Sequence, residues 1–519
     1  MEMLDERVER EAKRLKRDLE RRGVRVIDDS DSVGVMEDVT IKTNERNEPK
    51  PLPQSIPQRT NALDKFKAFY YYLTDSGLYI QPSLELNYGV EHEIPMDDAG
   101  VDKLIIPKEA YNANLTFTIL TGLLQNSAML SFGPPGSGKT TAAEFVISGI
   151  YNVTLSDIQE ATILGNPELT EEKMLAYIDL TSFIKHKEVI GVRKFMKNPG
   201  RLIDEANRMS PSKSSLLLNI LDRGWAIYNN RKIKATPGPL FATVNGKDYG
   251  NYETTPAFID RFDIAITALE MNPEFIGYYT EMRNNKIRFI EDMIVKPPKK
   301  IDERDLINAR KEIYHNIKFD SVLMNKLAHF LAELLSCYEA GMQEHNKTKG
   351  NALYEKPGPL CKDCKYFNYD NSICHSTEDS LSARTIASVY AYSKALSWWR
   401  GKAKVEEEDL KYALSFASWF KLNPTRKIKE KEKRFKNDRI SMVYHLWDTS
   451  SKSYDEIVTV FPEYKGIVKT VTDYCRNKSR PSKSELLDMM HSLKKIDSPT
   501  KFQLGTALKW MYMNYDRQK

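Results

Sequence analysis

A glycine-rich segment about a quarter of the way along the chain constrains the fold more than any other part of the sequence. Residues 133–140 read GPPGSGKT and match the phosphate-binding pattern G-x-x-x-x-G-K-[ST]. The apolar run from Ala128 to Phe132 precedes this segment, and the helix-like stretch TAAEFVISGI follows it. A strand, a glycine loop and a helix in this order direct backbone N–H groups and a helix N-terminus at one anion. The sequence therefore predicts a phosphate site on an α/β sheet.

Each residue type in this loop has a chemical reason. The glycines let the backbone wrap closely around phosphate oxygens. Lys139 brings a positive charge to the β- and γ-phosphates, and the Thr140 hydroxyl is a ligand for Mg²⁺. We predict that ATP is held by the loop and the first residues of the helix, namely Gly133, Pro134, Pro135, Gly136, Ser137, Gly138, Lys139, Thr140 and Thr141.

Hydrolysis also needs a carboxylate that holds the metal and a group that activates water, both on a neighbouring strand. The segment GRLIDEANR, residues 200–208, offers Asp204 to hold Mg²⁺ and Glu205 to polarise the attacking water. The segment PGPLFATVNG, residues 237–246, has the pattern of a buried strand and brings the Asn245 amide towards the same water. An exposed acidic turn is the alternative interpretation of the acidic pair.

The order of GPPGSGKT, LIDEANR, LFATVNG and FIDRFD resembles the MoxR family of AAA+ ATPases, within the clade that carries an insertion in its second helix. The resemblance covers about residues 90–420. It implies that the loop lysine and threonine are the Walker A residues and that the acidic pair is Walker B. It also implies that Asn245 is sensor 1.

The same resemblance assigns two arginines. Arg261, in FIDRFD, falls where the family keeps an arginine finger that reaches the γ-phosphate of a neighbouring subunit, which implies a ring with a homo-hexamer as the default. Arg384, in LSARTIASVYAYSKAL, falls where the lid helix of the family presents its sensor 2 arginine to the nucleotide. A surface ion pair for Arg261 and a helix-face charge for Arg384 are the alternatives.

Residue patterns also suggest how the chain is organised. From about Leu86 to Leu269, β-type runs alternate with helical runs, whereas the sequence after Asn272 is helical. The expected fold class is α/β: an AAA+ P-loop core with a parallel sheet, then an α-helical lid domain with a Cys-rich insertion, then a helical C-terminal region. The expected segments are 1–60 (charged N-terminal helix and linker), 61–89 (helical docking segment), 90–271 (core), 272–422 (lid, with the insertion at about 345–380), 423–440 (basic connector) and 441–519 (helical C-terminal domain).

Two further segments are candidates for contact with a substrate or partner. WAIYNNRKIKAT, residues 225–236, predicts a hairpin because Asn229 and Asn230 tolerate the left-handed conformations of a tight turn. The insertion of the second helix is expected within Ile158 to Lys197. In related rings both features face the central pore or the partner, and a folded hairpin without a partner contact is the alternative.

Three of the five cysteines are close together in the sequence and predict a metal site. Cys-x-x-Cys places two thiolates on one turn, and a third thiolate with an imidazole completes a tetrahedral Zn²⁺ set. The candidate ligands are Cys361, Cys364, Cys374 and His375. His345 or Cys337 in place of His375, an Fe–S cluster and unliganded thiols are the alternatives.

Composition excludes little beyond a few function classes. A net charge of +5 over 519 residues is small for a nucleic-acid protein. The N-terminal residues lack the apolar core of a signal peptide, and no apolar run is long enough to cross a bilayer. We therefore expect a cytoplasmic protein with no membrane contact.

The leading functional hypothesis is a ring-forming ATPase that remodels a protein complex or assists its maturation. The resemblance implies a protein client or a partner with a von Willebrand factor A domain. A nucleic-acid-dependent motor, resembling a helicase or a restriction translocase, is the alternative because Arg426 to Arg439 is strongly basic. A scaffold that binds nucleotide without hydrolysing it is disfavoured by Glu205, Asn245 and Arg261.

Overall fold

The structure is a computed structural model in which every described residue belongs to one compact unit, Pro57–Lys519. The described residues are 61–75, 84–88, 90–95, 103–107, 109–178, 189–246, 255–270, 300–337, 364–368, 372–475, 480–498 and 500–515, with the single positions 273, 276, 277, 280 and 361. The charged helix and linker expected over residues 1–60 lie outside them.

The first half of the described chain alternates strands and helices. In chain order its elements are α1 (Asn61–Asp75), β1 (Glu85–Asn87), β2 (Val90–Pro95), β3 (Lys103–Pro107), β4 (Ala110–Asn112), α2 (Ala113–Leu123), β5 (Ala128–Phe132), α3 (Lys139–Tyr151), α4 (Leu155–Ala161), β6 (Ile163–Leu164), α5 (Glu171–Met174), β7 (Ala176–Ile178), β8 (Ile190–Val192), α6 (Lys194–Lys197), β9 (Arg201–Asp204), α7 (Pro211–Arg223), β10 (Trp225–Tyr228), β11 (Arg231–Lys234), β12 (Leu240–Val244), α8 (Pro256–Ile259) and β13 (Ile264–Thr267).

Five of these strands form one parallel sheet in the order β13-β5-β12-β9-β6. The register aligns Leu240 with Ala128 and Val244 with Phe132. Every residue of β12 is buried, as expected for a central strand with helices on both faces. Because the strands are parallel, their carboxyl ends meet at one edge of the sheet and their amino ends meet at the other.

Successive side chains of each strand point to opposite faces of the sheet. Met129 and Phe241 pack into a core shared with α1, α2, α3 and the helices that follow the sheet in sequence. Leu130 and Ala242 pack into a second core with α7 and the β10–β11 hairpin. The α/β layer architecture expected from the sequence is therefore present.

The second half of the described chain is helical. Its helices are α9 (Glu303–Lys311), α10 (Ser321–Leu335), α11 (Ala383–Trp399), α12 (Glu407–Ser418), α13 (Arg426–Lys431), α14 (Arg439–Val460), α15 (Glu463–Cys475), α16 (Lys483–Leu493) and α17 (Lys501–Met513). A π-helical turn over Glu312–Asn316 follows α9, and 3₁₀ turns cover Lys365–Asn368 and Lys433–Lys436. Helices α15 to α17 enclose a separate small core that includes Tyr464 and Leu508.

The basic segment expected as a connector has regular structure. Residues 426–439 form α13, a 3₁₀ turn and the start of α14. Ile428 and Phe435 are its apolar side chains, and both are buried in the main core. The many charged residues in RKIKEKEKRFKNDR make these two buried positions difficult to predict from the sequence.

Among the residues that the structure describes, we find no helix that is both long and apolar enough to cross a membrane.

Candidate active site at two edges of the sheet

The glycine-rich loop joins the carboxyl end of β5 to the first turn of α3. Gly133 has φ 153°, and a Cβ atom at this position would lie 2.5 Å from the carbonyl oxygen of Ala268, so a side chain does not fit there. Pro135 and Ser137 lie in the loop, and Thr141 lies in the first turn of α3. The residues predicted to cradle phosphate are therefore contiguous at this edge.

Lys139 is folded back over the loop. Its Nζ donates to the carbonyl oxygens of Gly133 (2.9 Å) and Pro134 (2.7 Å) and to Ser137 Oγ (3.1 Å). Burial lowers the pKa of the ammonium, whereas the carboxylates of Asp204 and Glu205 act in the opposite direction. The charge is thus held within the loop by neutral oxygens.

Asp204 lies at the carboxyl end of β9, directly across from the first turn of α3. Its Oδ1 accepts hydrogen bonds from Thr140 Oγ1 (3.0 Å) and from the hydroxyl of Thr243. Thr243 comes from the adjacent strand β12. The two residues predicted to bind Mg²⁺ therefore contact each other directly, and carboxylate and hydroxyl oxygens are ligands that Mg²⁺ accepts.

Glu205 adopts the left-handed conformation, with φ 55° and ψ 47°. A non-glycine residue in this region carries strain of about 1–3 kcal/mol, which neighbouring contacts must offset. Its N–H donates to Thr243 Oγ1 (3.0 Å), Asn245 Nδ2 donates to its Oε1 (2.6 Å), and Arg208 forms an ion pair with its Oε2 (3.2 Å). This arrangement fixes the carboxylate on the same side of the sheet as the loop.

A second glycine makes room for this strained turn. A Cβ atom at Gly165 would lie 2.1 Å from the carbonyl oxygen of Glu205, and Gly165 N–H donates to the carbonyl oxygen of Asp204 at 2.7 Å. Only glycine allows this close approach. We call the glycine-rich loop (residues 133–140) together with Asp204, Glu205 and Asn245 the carboxyl edge.

Arg261 lies at the opposite edge of the sheet. It comes two residues before Asp263, whose N–H donates to the carbonyl oxygen of Ala128 (2.9 Å) and whose Oδ2 accepts from the N–H of Ala128 (2.8 Å). Ala128 is the first residue of β5, and the glycine loop follows the last. At about 3.3 Å per residue, the steps from Ala128 to Gly133 span roughly 16 Å.

Arg384 lies beside Arg261 and not against the loop of its own chain. Asp222 Oδ2 accepts from Arg261 Nε (2.8 Å), and Asp222 Oδ1 pairs with Arg384 Nη2 (3.1 Å). Arg384 Nη1 also donates to Asp260 Oδ2 (3.3 Å). The structure thus brings the two predicted arginines together and separates them from the other predicted catalytic residues. We call the cluster of Arg261, Arg384, Asp222 and Asp260 the amino edge.

Helix α11 holds Arg384 in this position through hydrogen bonds to residues that precede β5 and β13. Ser382 Oγ donates to Asp260 Oδ1 (2.6 Å), and Ser388 Oγ donates to Asp263 Oδ1 (2.6 Å). Further along the helix, the Tyr392 hydroxyl lies 2.7 Å from Ser127 Oγ. The N-terminal half of the helix is therefore fixed against the start of β5 and β13.

Lys421 completes the amino edge. Its Nζ donates to Thr385 Oγ1 (2.9 Å). Burial lowers its pKa to about 8; the carboxylates of Asp260 and Asp263 oppose this shift, and the charge of Arg384 adds to it.

The predicted hairpin is present as β10 and β11, with Asn229 (φ 45°) and Asn230 (φ 57°) at its turn. Ile227 is 54% exposed, and Lys232 lies over the ring of Trp225. Within the expected insertion, β7 and β8 pair antiparallel. Both hairpins present apolar or aromatic side chains outside the core.

The cysteine segment contributes no metal site among the described residues, where no group of three or more candidate ligands stands together. Cys361, Cys364, Cys374 and His375 are described, whereas His345 lies outside the described residues. The Cys364 N–H donates to the carbonyl oxygen of Cys361 (3.3 Å), as in a tight turn. The zinc prediction therefore has no support from the geometry.

Three residues of the site were not predicted from sequence. Thr243 bonds both acidic residues, Arg208 pairs with Glu205, and Asp222 joins the two arginines. Thr243 carries a detectable signal, because it stands two residues before Asn245 and so shares its face of the strand. The other two depend on a turn and on a contact between distant elements.

Comparisons with known proteins support the fold. No family model matches the sequence, and no curated protein matches it. The structure is similar to a solved structure described as a "putative ATPase" from Cytophaga hutchinsonii, with a TM-score of 0.50 and 14% identity over 74% of this chain and 94% of that chain. At this identity the similarity shows the fold alone. The similarity supports the fold described above, an α/β core with a parallel five-stranded sheet followed by helices.

Proposed function

We propose that the protein is a Mg²⁺-dependent ATPase of the AAA+ type whose active sites form between neighbouring copies of the chain. The observation that carries the proposal is the separation of the predicted catalytic residues onto two edges of one sheet. The loop, Asp204, Glu205 and Asn245 occupy the carboxyl edge, whereas Arg261 and Arg384 occupy the amino edge.

The carboxyl edge has groups suited to binding ATP and Mg²⁺ and to activating the attacking water. Lys139 would exchange its neutral carbonyl partners for the charged oxygens of the β- and γ-phosphates, which gives shorter and stronger hydrogen bonds. Thr140 and Asp204 would hold Mg²⁺, which neutralises developing charge on the phosphates. Thr140 Oγ1 and Asp204 Oδ1 are in direct contact, so the two proposed Mg²⁺ ligands are oriented towards one position.

Glu205 would orient and polarise the attacking water. Each of its oxygens has one partner, Asn245 or Arg208, and a carboxylate oxygen can accept a second hydrogen bond. The Asn245 amide fixes the direction of the carboxylate, and a positioned base of this kind contributes about 10²–10⁴-fold to a rate.

The amino edge supplies its arginines to another copy. Within one chain, the length of β5 places Ala128, the partner of Asp263, roughly 16 Å from Gly133. An arginine side chain that starts two residues before Asp263 is shorter than this span. A head-to-tail arrangement places the amino edge of one copy against the carboxyl edge of the next, and such an arrangement forms a ring when the rotation between copies closes. A homo-hexamer remains the expectation from the resemblance to the MoxR family.

The work of the ring is proposed to be the remodelling or chaperone-like maturation of a protein complex. The exposed Ile227 on the β10–β11 hairpin and Tyr177 on the β7–β8 hairpin, 54% and 42% exposed, are the contacts available to a client. A partner with a von Willebrand factor A domain follows from the resemblance alone.

A nucleic-acid motor is the second candidate because of one surface on the C-terminal helices. Trp510 is 55% exposed and makes an edge-to-face contact with Tyr474, while Lys483 lies over the rings of Tyr512 and Tyr515. Exposed aromatic rings beside lysines are suited to stacking on unpaired bases. ATPase stimulation by DNA that weakens with salt would favour this candidate.

Steady-state ATP hydrolysis tests the proposal directly. Wild-type and Glu205→Gln proteins are assayed over a range of protein concentrations, with and without single-stranded or duplex DNA. We expect a specific activity that rises with concentration, is absent in the variant and does not respond to DNA. Activity that is independent of concentration would contradict the shared site, and several-fold stimulation by DNA would favour the nucleic-acid motor.

Two sequence predictions remain apart from this site. A structural zinc ion on Cys361, Cys364, Cys374 and His375 is tested by metal analysis of the purified protein and of Cys364→Ser. A cytoplasmic location is tested by fractionation.

A further inference from the structure

One carboxylate, Asp222, links both arginines of the amino edge. It lies in the last turn of α7, and each of its oxygens binds a different arginine: Oδ2 accepts from Arg261 Nε at 2.8 Å, and Oδ1 pairs with Arg384 Nη2 at 3.1 Å. Its side chain is 23% exposed, so solvent screens these contacts only in part. Three separate elements therefore meet at this residue: α7, the turn before β13, and α11.

The surroundings of Asp222 are rich in positive charge. A cavity of about 500 Å³ is lined by Asp222 together with Arg223, Lys232 and Lys234. Two guanidinium groups placed side by side in such a region repel each other. Asp222 offsets that repulsion because it gives each guanidinium a charged acceptor.

The contacts with Asp222 also leave guanidinium nitrogens of both arginines available for another partner. Arg261 uses Nε for Asp222 and Nη1 for the carbonyl oxygen of Ala257 (2.6 Å), which leaves Nη2 without a hydrogen bond to the described residues. The Arg384 side chain is 50% exposed. Asp222 thus orients both groups without covering them.

We infer that Asp222 is a positioning residue that orients Arg261 and Arg384 as a pair to contact the γ-phosphate of a nucleotide bound by the neighbouring copy. The inference rests on the proposed function, because it assumes that these arginines serve a site between copies. Asp222 itself does not touch the nucleotide.

If Asp222 has this role, its substitution should change the turnover number and leave nucleotide binding unchanged. The loop on the carboxyl edge holds the phosphates, so loss of Asp222 should leave the KM for ATP nearly unchanged. The arginines would lose their relative orientation, and a misplacement of about 1 Å can cost on the order of 100-fold in rate. Asp222→Asn, which keeps the shape and removes the charge, should therefore lower kcat by about 10- to 100-fold.

The experiment compares kcat and KM of the full chain for wild type, Asp222→Asn, Asp222→Glu and a matched control, Asp455→Asn. Asp455 forms an ion pair with Lys326 (2.8 Å) far along the chain, so its change should leave kcat as in wild type. Asp222→Glu keeps the charge and should recover part of the lost kcat. Thermal midpoints of all variants show whether folding is preserved.

A double-mutant cycle with Arg261→Ala decides whether Asp222 acts through the arginines. If it does, Asp222→Asn adds little to the loss already caused by Arg261→Ala, because the group that it positions is gone. Multiplicative losses would overturn the inference, as would an Asp222→Asn protein that turns over like wild type while Arg261→Ala is impaired. If Arg261→Ala and Arg384→Ala both turn over like wild type, the proposed shared site itself is wrong.

Discussion

The two edges of the sheet are built in different ways. At the carboxyl edge, residues from adjacent strands and from the first turn of α3 are joined by direct hydrogen bonds. Thr140 and Thr243 both donate to Asp204. Asn245 donates to Glu205. At the amino edge, the groups come from a helix end, a turn and the lid helix α11, and ion pairs through Asp222 join them.

This difference follows from what each edge must do. Parallel strands bring their carboxyl ends together automatically, so a nucleotide site there needs only short motifs in the right order. The amino edge depends on how α11 docks against the sheet. Under the proposed function neither edge alone has a complete catalytic set, and substitutions at the two edges should have different effects on kcat and on nucleotide binding.

The largest effect is expected at the amino edge. Arg261→Ala should lower kcat by about 10³–10⁵-fold, because an arginine finger stabilises charge on the transferring phosphoryl group. The affinity for ATP should be unchanged, since the loop is intact. Turnover assays and titration with a fluorescent ATP analogue measure the two quantities. Arg426→Ala is the matched control, because Arg426 is 89% exposed and pairs only with Glu430 among the described contacts. An unchanged kcat would remove Arg261 from the site.

The next effect is expected at the carboxyl edge. Glu205→Gln should lower phosphate release by about 10²–10⁴-fold, because the amide cannot polarise the attacking water. ATP should stay bound, in contrast to a loop variant. Phosphate release and retained nucleotide are measured together, with Glu463→Gln, an exposed residue at the start of α15, as a surface control. Release at the wild-type rate would overturn the assignment of Glu205 as the base.

A smaller effect should show that the strands of the carboxyl edge depend on each other. Thr243→Val keeps the side-chain shape but leaves the Glu205 N–H without its acceptor, which costs about 1–3 kcal/mol of stability. We also expect a higher Mg²⁺ concentration for half-maximal activity, since Asp204 loses a donor that orients it. Thermal midpoints and Mg²⁺ titrations check both effects. A variant that matches wild type in both would show that Thr243 is dispensable.

The last effect concerns the pH dependence of stability at the amino edge and leaves turnover near neutral pH unchanged. Burial lowers the pKa of Lys421 to about 8 from an ordinary value of 10.5. Between these values the unfolded chain binds the proton and the folded chain does not, so stability rises with pH through this window, by up to about 1.4 kcal/mol per unit. Below pH 8 both states are protonated and the contribution is constant. Thermal midpoints of wild type and Lys421→Met should therefore diverge in slope across the window, and parallel curves would contradict the burial of this charge.

The sequence predicts that the residues of the carboxyl edge lie together, because GPPGSGKT and LIDEANR are contiguous motifs and the strands around them are continuous apolar runs. The turn at Asn229 and Asn230 was also predictable, since few residue types adopt φ above zero. In both cases, neighbours in the sequence determine the geometry.

The amino edge was predicted only in part. Resemblance assigned Arg261 and Arg384, but their pairing through Asp222 requires contacts between elements that are distant in the sequence. In the basic run 426–439, the buried side chains of Ile428 and Phe435 were not recognised from the sequence, because charged residues surround them. The cysteine pattern predicted zinc from spacing alone, and spacing does not decide whether a fourth ligand is within reach.

The most direct test of the shared site mixes two inactive proteins, Glu205→Gln and Arg261→Ala. In a mixed assembly, the arginines of a Glu205→Gln subunit can serve the intact carboxyl edge of an Arg261→Ala neighbour. We predict that the mixture hydrolyses ATP well above the sum of the two proteins assayed separately, and that activity peaks near equal amounts. A mixture whose activity equals that sum at every ratio would contradict an active site formed between copies.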